Sequence, residues 1–125
     1  MKQHTIIFPW PAKELHAHAK GRGYHVKARA TKHARQCARA IVAHLELAPM
    51  AAPVRVSYVF AMPDRRRRDI ENLRQACKPY IDGIVDAGLL PGDSWDVLRS
   101  GCADAELAKP DTAPHVRITL TEEDE

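Results

Sequence analysis

The sequence predicts an α/β fold: a small single domain with two main helices packed on a mixed or antiparallel sheet of about four strands. Three observations lead there. The stretches HTIIFPW, VRVSYVF and HVRITL are rich in β-branched and aromatic residues and alternate in the period of a strand. Between them lie segments whose apolar residues recur at helical spacing. No repeat or long linker divides the 125 residues, a length that supports one modest core.

Taken in order, His4 to Trp10 forms a first strand, stopped by Pro9 and Pro11. The glycines of AKGRGYH make a basic loop before a helix over about residues 27–47, with Ala34, Cys37 or Ala38, Ile41 and Leu45 on its apolar face and many alanines favouring it. Pro49 and Pro53 end that helix. Val54, Val56, Tyr58 and Phe60 mark the inward positions of a second strand, closed by Pro63 and Asp64. Asp69 can cap the next helix, whose apolar positions Ile70, Leu73, Cys77, Ile81 and Ile84 run to a stop near Gly88. Pro79 falls inside it, removing a hydrogen bond and clashing with the turn before, so a kink or break is expected there. LLPGDSW is a turn into a strand over about residues 95–100, and HVRITL is the last strand. Residues 1–121 are expected to form the domain and residues 122–125 an acidic, flexible tail.

The composition, 45% hydrophobic and 28% charged, is that of a folded soluble domain. No run is long enough to span a membrane, and the start MKQHTIIFPW lacks a secretory leader, so the expected location is cytoplasmic. Cys37, Cys77 and Cys102 are odd in number and widely spaced, which favours free, buried thiols over disulfides. The net charge is only +3, but it is segregated. From Leu15 to Leu45 there is no acid, while Lys20, Arg22, Lys27, Arg29, Lys32, Arg35 and Arg39 are cationic. That loop and helix are a candidate phosphate-binding surface.

The densest chemistry lies in MPDRRRRDIEN, where Arg65, Arg66, Arg67 and Arg68 precede Asp69 and Glu71. Residues two apart do not share a face of a regular helix, so joint ligation of a metal by Asp69 and Glu71 requires Asp69 at or before the cap. Mg²⁺ takes hard oxygen ligands, often one or two carboxylates with water and phosphate oxygens. Asp93, with Asp96 behind it, is the candidate third acid. Such an ion could activate water and neutralise phosphate in phosphodiester hydrolysis, with the arginines offsetting repulsion between DNA and the carboxylates. The competing reading is a helix cap beside a solvated arginine run, and spacing alone leaves both open. On a continuous helix Glu71, Gln75, Lys78 and Asp82 share a face. Asp82 would lie roughly 16 Å beyond Glu71, too far for the same ion, whereas Lys78, about 10 Å along, could reach phosphate at the edge of the site.

The chain closely resembles the RusA family of Holliday junction resolvases, through TIIFPWP, MPDRRRRDIENL and DAGLLPGDSWDV, which follow one another over almost the whole domain. The resemblance implies a homodimeric, Mg²⁺-dependent endonuclease that nicks four-way DNA junctions in strands of like polarity, in recombination or repair, with a phage or prophage setting among the expectations. It assigns the metal to Asp69, Glu71 and Asp93. Three positions depart from the family pattern: the middle acid is glutamate, one methylene longer; Gly92 stands where a second loop acid is common; and Gln75 stands where the family has lysine. Lys78 is assigned the missing cationic role, and Asn72 an orienting or capping one. A junction-binding protein of the same fold with weakened chemistry is the alternative that these departures raise.

Other residues carry less. Trp10 is read as a packing residue, and His16 and His18 as surface residues or DNA contacts. The GRG near residue 21 lacks the lysine and spacing of a nucleotide cradle, and no nucleophilic triad is legible, which argues against an ATPase or a covalent hydrolase. The Leu89 to Trp95 loop or the helix faces are candidate dimer contacts.

Overall fold

A computed structural model describes residues 2–16 and 23–124. The elements are β1 (Gln3–Pro9), α1 (Tyr24–Leu45), β2 (Val54–Met62), α2 (Ile70–Ala76), α3 (Lys78–Asp86), β3 (Leu98–Leu107) and β4 (His115–Glu122), with a 3-10 turn at Lys13–Leu15. The strands form one sheet in the order β1-β4-β2-β3. β4 is antiparallel to both neighbours, while β2 and β3 run parallel, joined by the α2–α3 crossover. The sheet is therefore mixed, and the expected α/β architecture is the one observed.

Alternation explains which face is covered. Ile6 and Phe8 of β1, Val54, Val56, Tyr58 and Phe60 of β2, and Val116, Ile118 and Leu120 of β4 are all buried on the helix side. Their neighbours Thr5, Ile7, Ser57, Arg117 and Thr119 face the other way. α1 contributes a narrow stripe of Ala34, Ala38 and Val42, and Leu45, expected on that stripe, is instead exposed. Small residues are needed there because α3 crosses closely. A Cβ on Gly83 would stand 2.6 Å from the Ala38 Cβ and 2.9 Å from the Arg39 amide nitrogen.

The second helix breaks where Pro79 lies. Cys77 ends α2 at φ −90°, ψ 0°, and α3 begins at Lys78 with the proline in its first turn, where a missing N–H costs least. Tyr80 anchors α3 to β1, its hydroxyl donating to the Pro9 carbonyl at 2.7 Å and its ring stacking on Phe8 at 4.9 Å. Of the three thiols only Cys77 is buried, and that burial pushes its pKa up to about 12; Cys37 is half-buried and Cys102 exposed.

Several boundaries differ from the sequence reading: α1 begins at Tyr24 rather than near residue 27, and β3 runs on to Leu107 rather than ending near Ser100. β3 starts at Leu98 rather than near Trp95, because a turn intervenes in which the Val97 and Leu98 amides both donate to the Ser94 carbonyl at 2.9 Å. At the other end, β4 runs through Glu122. The Glu122 carboxylate accepts from the Ala51 amide at 2.6 Å, and Glu123 pairs with Arg55, so these two acids are tied to the domain rather than forming a free tail.

Candidate nuclease site

Asp69 is the N-cap of α2. Its Oδ1 accepts from the Glu71 amide at 2.8 Å and, more weakly, from the Asn72 amide at 3.4 Å, satisfying donors that the helix start leaves unpaired. The cap geometry puts Asp69 outside the helix, as joint use of the two acids requires. Both are exposed, and the Glu71 carboxylate lies 3.9 Å from the Arg74 guanidinium.

Asp93 is placed differently. It lies in the loop before β3, where its carboxylate accepts a short hydrogen bond from the Lys78 ammonium, which also donates to Asp82 at 2.7 Å. Lys78 thus bridges two carboxylates. Partial burial pulls its pKa down, but the bonds to Asp82 and Asp93 outweigh this and hold it above the ordinary lysine value. The same bond, with the ammonium's charge, holds Asp93 below the usual carboxylate range. Among the described residues, no three His, Cys, Asp or Glu side chains converge as a ready-made ion cage, so Asp93 is not gathered with Asp69 and Glu71 as the sequence suggests. The donors that remain suit a hard divalent ion: Asp69 caps through Oδ1 and has Oδ2 to spare, Glu71 is exposed, and one or two carboxylates suffice for Mg²⁺ when water and phosphate complete its shell.

The arginine run divides. Arg65, Arg66 and Arg67 are exposed, and among the described residues Arg65 and Arg67 form no ion pair. Arg68 is turned inward: it pairs with Asp64 at 2.9 Å, donates to the Asp64 and Arg66 carbonyls, and lies 5.7 Å over the Trp10 ring. Its guanidinium is thus partnered within the chain, unlike those of Arg65 and Arg67 among the described residues. Trp10 packs, as expected, half-buried and edge-on to Phe60. Along α1, Lys27, Arg29 and Lys32 are exposed cations. Arg35 is not free, because its guanidinium makes a two-point bond to Asp86 of α3 at 2.6 and 2.8 Å. It links α1 to α3. Lys20, Arg22 and His18 lie outside the described residues.

Two relationships were not legible from spacing. Arg74 fixes α2 to the sheet, donating to the Gly101 carbonyl at 3.2 Å and the Ser100 hydroxyl at 2.8 Å, with its guanidinium 5.2 Å over the Tyr58 ring. Gly101 is needed at this bulge of β3, since a Cβ there would come within 2.7 Å of the Val56 carbonyl oxygen. Second, a cavity of about 310 Å³ is lined by Lys27 and Thr31 of α1 together with Gln75, Lys78 and Asp82, so the basic helix and the α2–α3 break border one space.

No family model matches the chain. Among curated proteins it is 33% identical over 96 residues to the crossover junction endodeoxyribonuclease RusA of Escherichia coli strain K12, covering 75% of this chain and 77% of that protein. It is 32% identical over the same length to the crossover junction endodeoxyribonuclease of Enterobacteria phage 82. The Shigella sonnei enzyme is 31% identical, again over 96 residues.

Proposed function

The chain belongs to the RusA family of crossover junction endodeoxyribonucleases, and from that premise we propose that it is a Mg²⁺-dependent, structure-specific nuclease that resolves four-way DNA junctions by paired nicks. The observation that carries this reading is the exposed carboxylate pair Asp69 and Glu71 at the start of α2, directly behind the exposed Arg65, Arg66 and Arg67. Mg²⁺ held by Asp69 and Glu71, with water and phosphate oxygens completing its shell while Asp93 stays paired with Lys78, would supply water activation and neutralisation of phosphate charge. The arginines hold the strand by its phosphates and offset repulsion from the acids. Lys78 brings a further cation to the Asp93 side of the site. Lys27, Arg29 and Lys32 extend the phosphate-binding surface along α1, so binding weakens steeply as salt rises. Two equivalent nicks are explained by a homodimer with a two-fold axis. No helix among the described residues is long and apolar enough to cross a membrane, and the relative in Enterobacteria phage 82 supports a cytoplasmic setting for a phage or prophage product.

A second reading is favoured by the Lys78 clamp on Asp93 and by Glu71, Gln75 and Gly92: a junction-binding protein with weakened chemistry. One experiment separates them. Labelled four-way and linear DNA are incubated with the protein, with Mg²⁺ or a chelator, beside Asp69→Asn and Glu71→Gln. Junction nicking that needs Mg²⁺ and both acids supports the nuclease; tight junction binding without nicking supports the second reading. Metal-independent cutting, or cutting that both variants retain, refutes the mechanism.

A further inference from the structure

Trp95 is 90% exposed, an unusual position for the largest apolar side chain. Its backbone is nonetheless well fixed. The Val97 and Leu98 amides both donate to the Ser94 carbonyl, and the Ser94 hydroxyl donates to the Asp96 carboxylate. One end of this turn continues into β3; the other is Asp93, held by Lys78. The indole is therefore presented to solvent by a turn anchored to the candidate site, two residues from its loop acid. Trp10, by contrast, is spent on packing against Phe60 and Arg68.

What surrounds Trp95 selects its partner. Ser94, Asp96 and Arg99 are exposed polar neighbours in sequence, Leu89 and Leu90 are buried, and Val97 and Leu98 are half-buried, so within residues 89–100 the ring is the one exposed large apolar side chain rather than part of a larger apolar patch. The core of a protein interface needs such a patch. A single aromatic face set among polar groups beside a phosphate-binding site suits a nucleobase, whose rim is polar and whose π-face is apolar, and such stacking tolerates any base.

We propose that Trp95 is a base-stacking residue that takes an unstacked nucleobase at the branch point of a DNA junction and so orients the adjoining phosphate toward the Asp93 side of the site. This rests on the junction-cleaving reading above. Trp95 acts by positioning; it takes no part in bond breaking. Because stacking needs an accessible base face, the residue favours branched over continuous duplex DNA.

The test uses intrinsic fluorescence. The chain has two tryptophans, so Trp10→Phe leaves Trp95 as the sole indole while keeping an aromatic ring against Phe60. In chelator, to prevent cutting, a four-way junction should quench Trp95 emission in step with binding followed by anisotropy, and linear duplex of the same sequence should not. In the otherwise wild-type chain, Trp95→Ala should bind the junction on the order of tenfold more weakly, while Trp95→Phe stays within about threefold of wild type. Junction binding with unchanged emission overturns the proposal and leaves the nuclease reading standing. A smaller sedimenting species for Trp95→Ala also overturns it, showing the ring to be a contact between protein chains. Absence of any junction binding by the wild-type protein at low salt overturns both.

Discussion

Asp69 caps α2 and, on the proposed function, also holds the metal ion, and two substitutions pull these roles apart. As an N-cap it accepts from the Glu71 amide at 2.8 Å; the 3.4 Å contact to Asn72 adds little. Asparagine caps as well as aspartate, so Asp69→Asn should fold with nearly wild-type stability while losing the charge that an ion needs. Alanine caps poorly, so Asp69→Ala should cost about 1 kcal/mol. α2 has only seven residues, and it carries the buried Leu73 and Ala76 into the core, so fraying of its first turn is felt by the packing. For a chain of this size that loss lowers Tm by about 3–6 °C. Thermal melts give the first quantity and Mg²⁺-dependent junction nicking the second. Nicking by both variants should fall about a hundredfold or more, the scale seen when a group that stabilises transition-state charge is removed. The reasoning is refuted if Asp69→Asn cuts like wild type, or if Asp69→Ala is as stable as Asp69→Asn.

Further outcomes follow from the packing and the ion pairs. Gly83→Ala would gain about 1 kcal/mol of helix propensity at an open site, but here the new methyl meets α1, so the variant should be destabilised by about 1–3 kcal/mol in urea unfolding. Asp86 and Glu123 are held below the usual carboxylate range by hydrogen bonds from Arg35 and Arg55, and Asp93 by the one from Lys78. Depressed folded values mean that their stabilisation is fully present above the unfolded values near pH ~4 and is lost as pH falls through the folded ones. Melting temperature should thus hold from neutral pH to about 5 and drop below about 4, with a smaller drop in Arg35→Met, which gives up the Asp86 pair at every pH. Finally, Lys78→Ala should impair nicking, and adding Gln75→Lys to it should restore a substantial part of the rate, measured under single-turnover conditions.

How much was legible depended on whether a residue's role is set by its neighbours in sequence or across the fold. β1, β2 and β4 each bury one face, so their alternation is written in the chain. β3 lies at the sheet edge with residues of both faces largely exposed, and its strand character comes from pairing with β2, which no local pattern carries. Pro79 announced the break between α2 and α3 because its effect is local. The cap role of Asp69 was readable for the same reason. The partners of Arg35 and Arg68 are not legible in the sequence, because a guanidinium's partner depends on what the fold sets beside it, here Asp86 on another helix, and Asp64 with Trp10. Trp95 shows the same limit, since the sequence marks an aromatic in a turn without saying that it faces solvent.

The break at Cys77 also bears on the missing family lysine. A cation in the first turn of a helix faces the positive end of the macrodipole, so Lys78 stands at an electrostatically poor place for α3. Two carboxylates offset this, Asp82 one turn on and Asp93 from the loop, which ties the lysine to the acid rather than to the helix. Gln75, at the position where the family pattern has lysine, borders the same cavity as Lys78, together with Lys27 and Asp82. The two side chains address one space from either side of the break. On this argument the cation has moved within the cavity instead of being lost, and a lysine at 75 can stand in for one at 78. Were Gln75→Lys unable to restore any cleavage to Lys78→Ala while folding and junction binding stayed intact, the bond between Lys78 and Asp93 would have to be the essential feature, and mere positive charge in the cavity would not suffice.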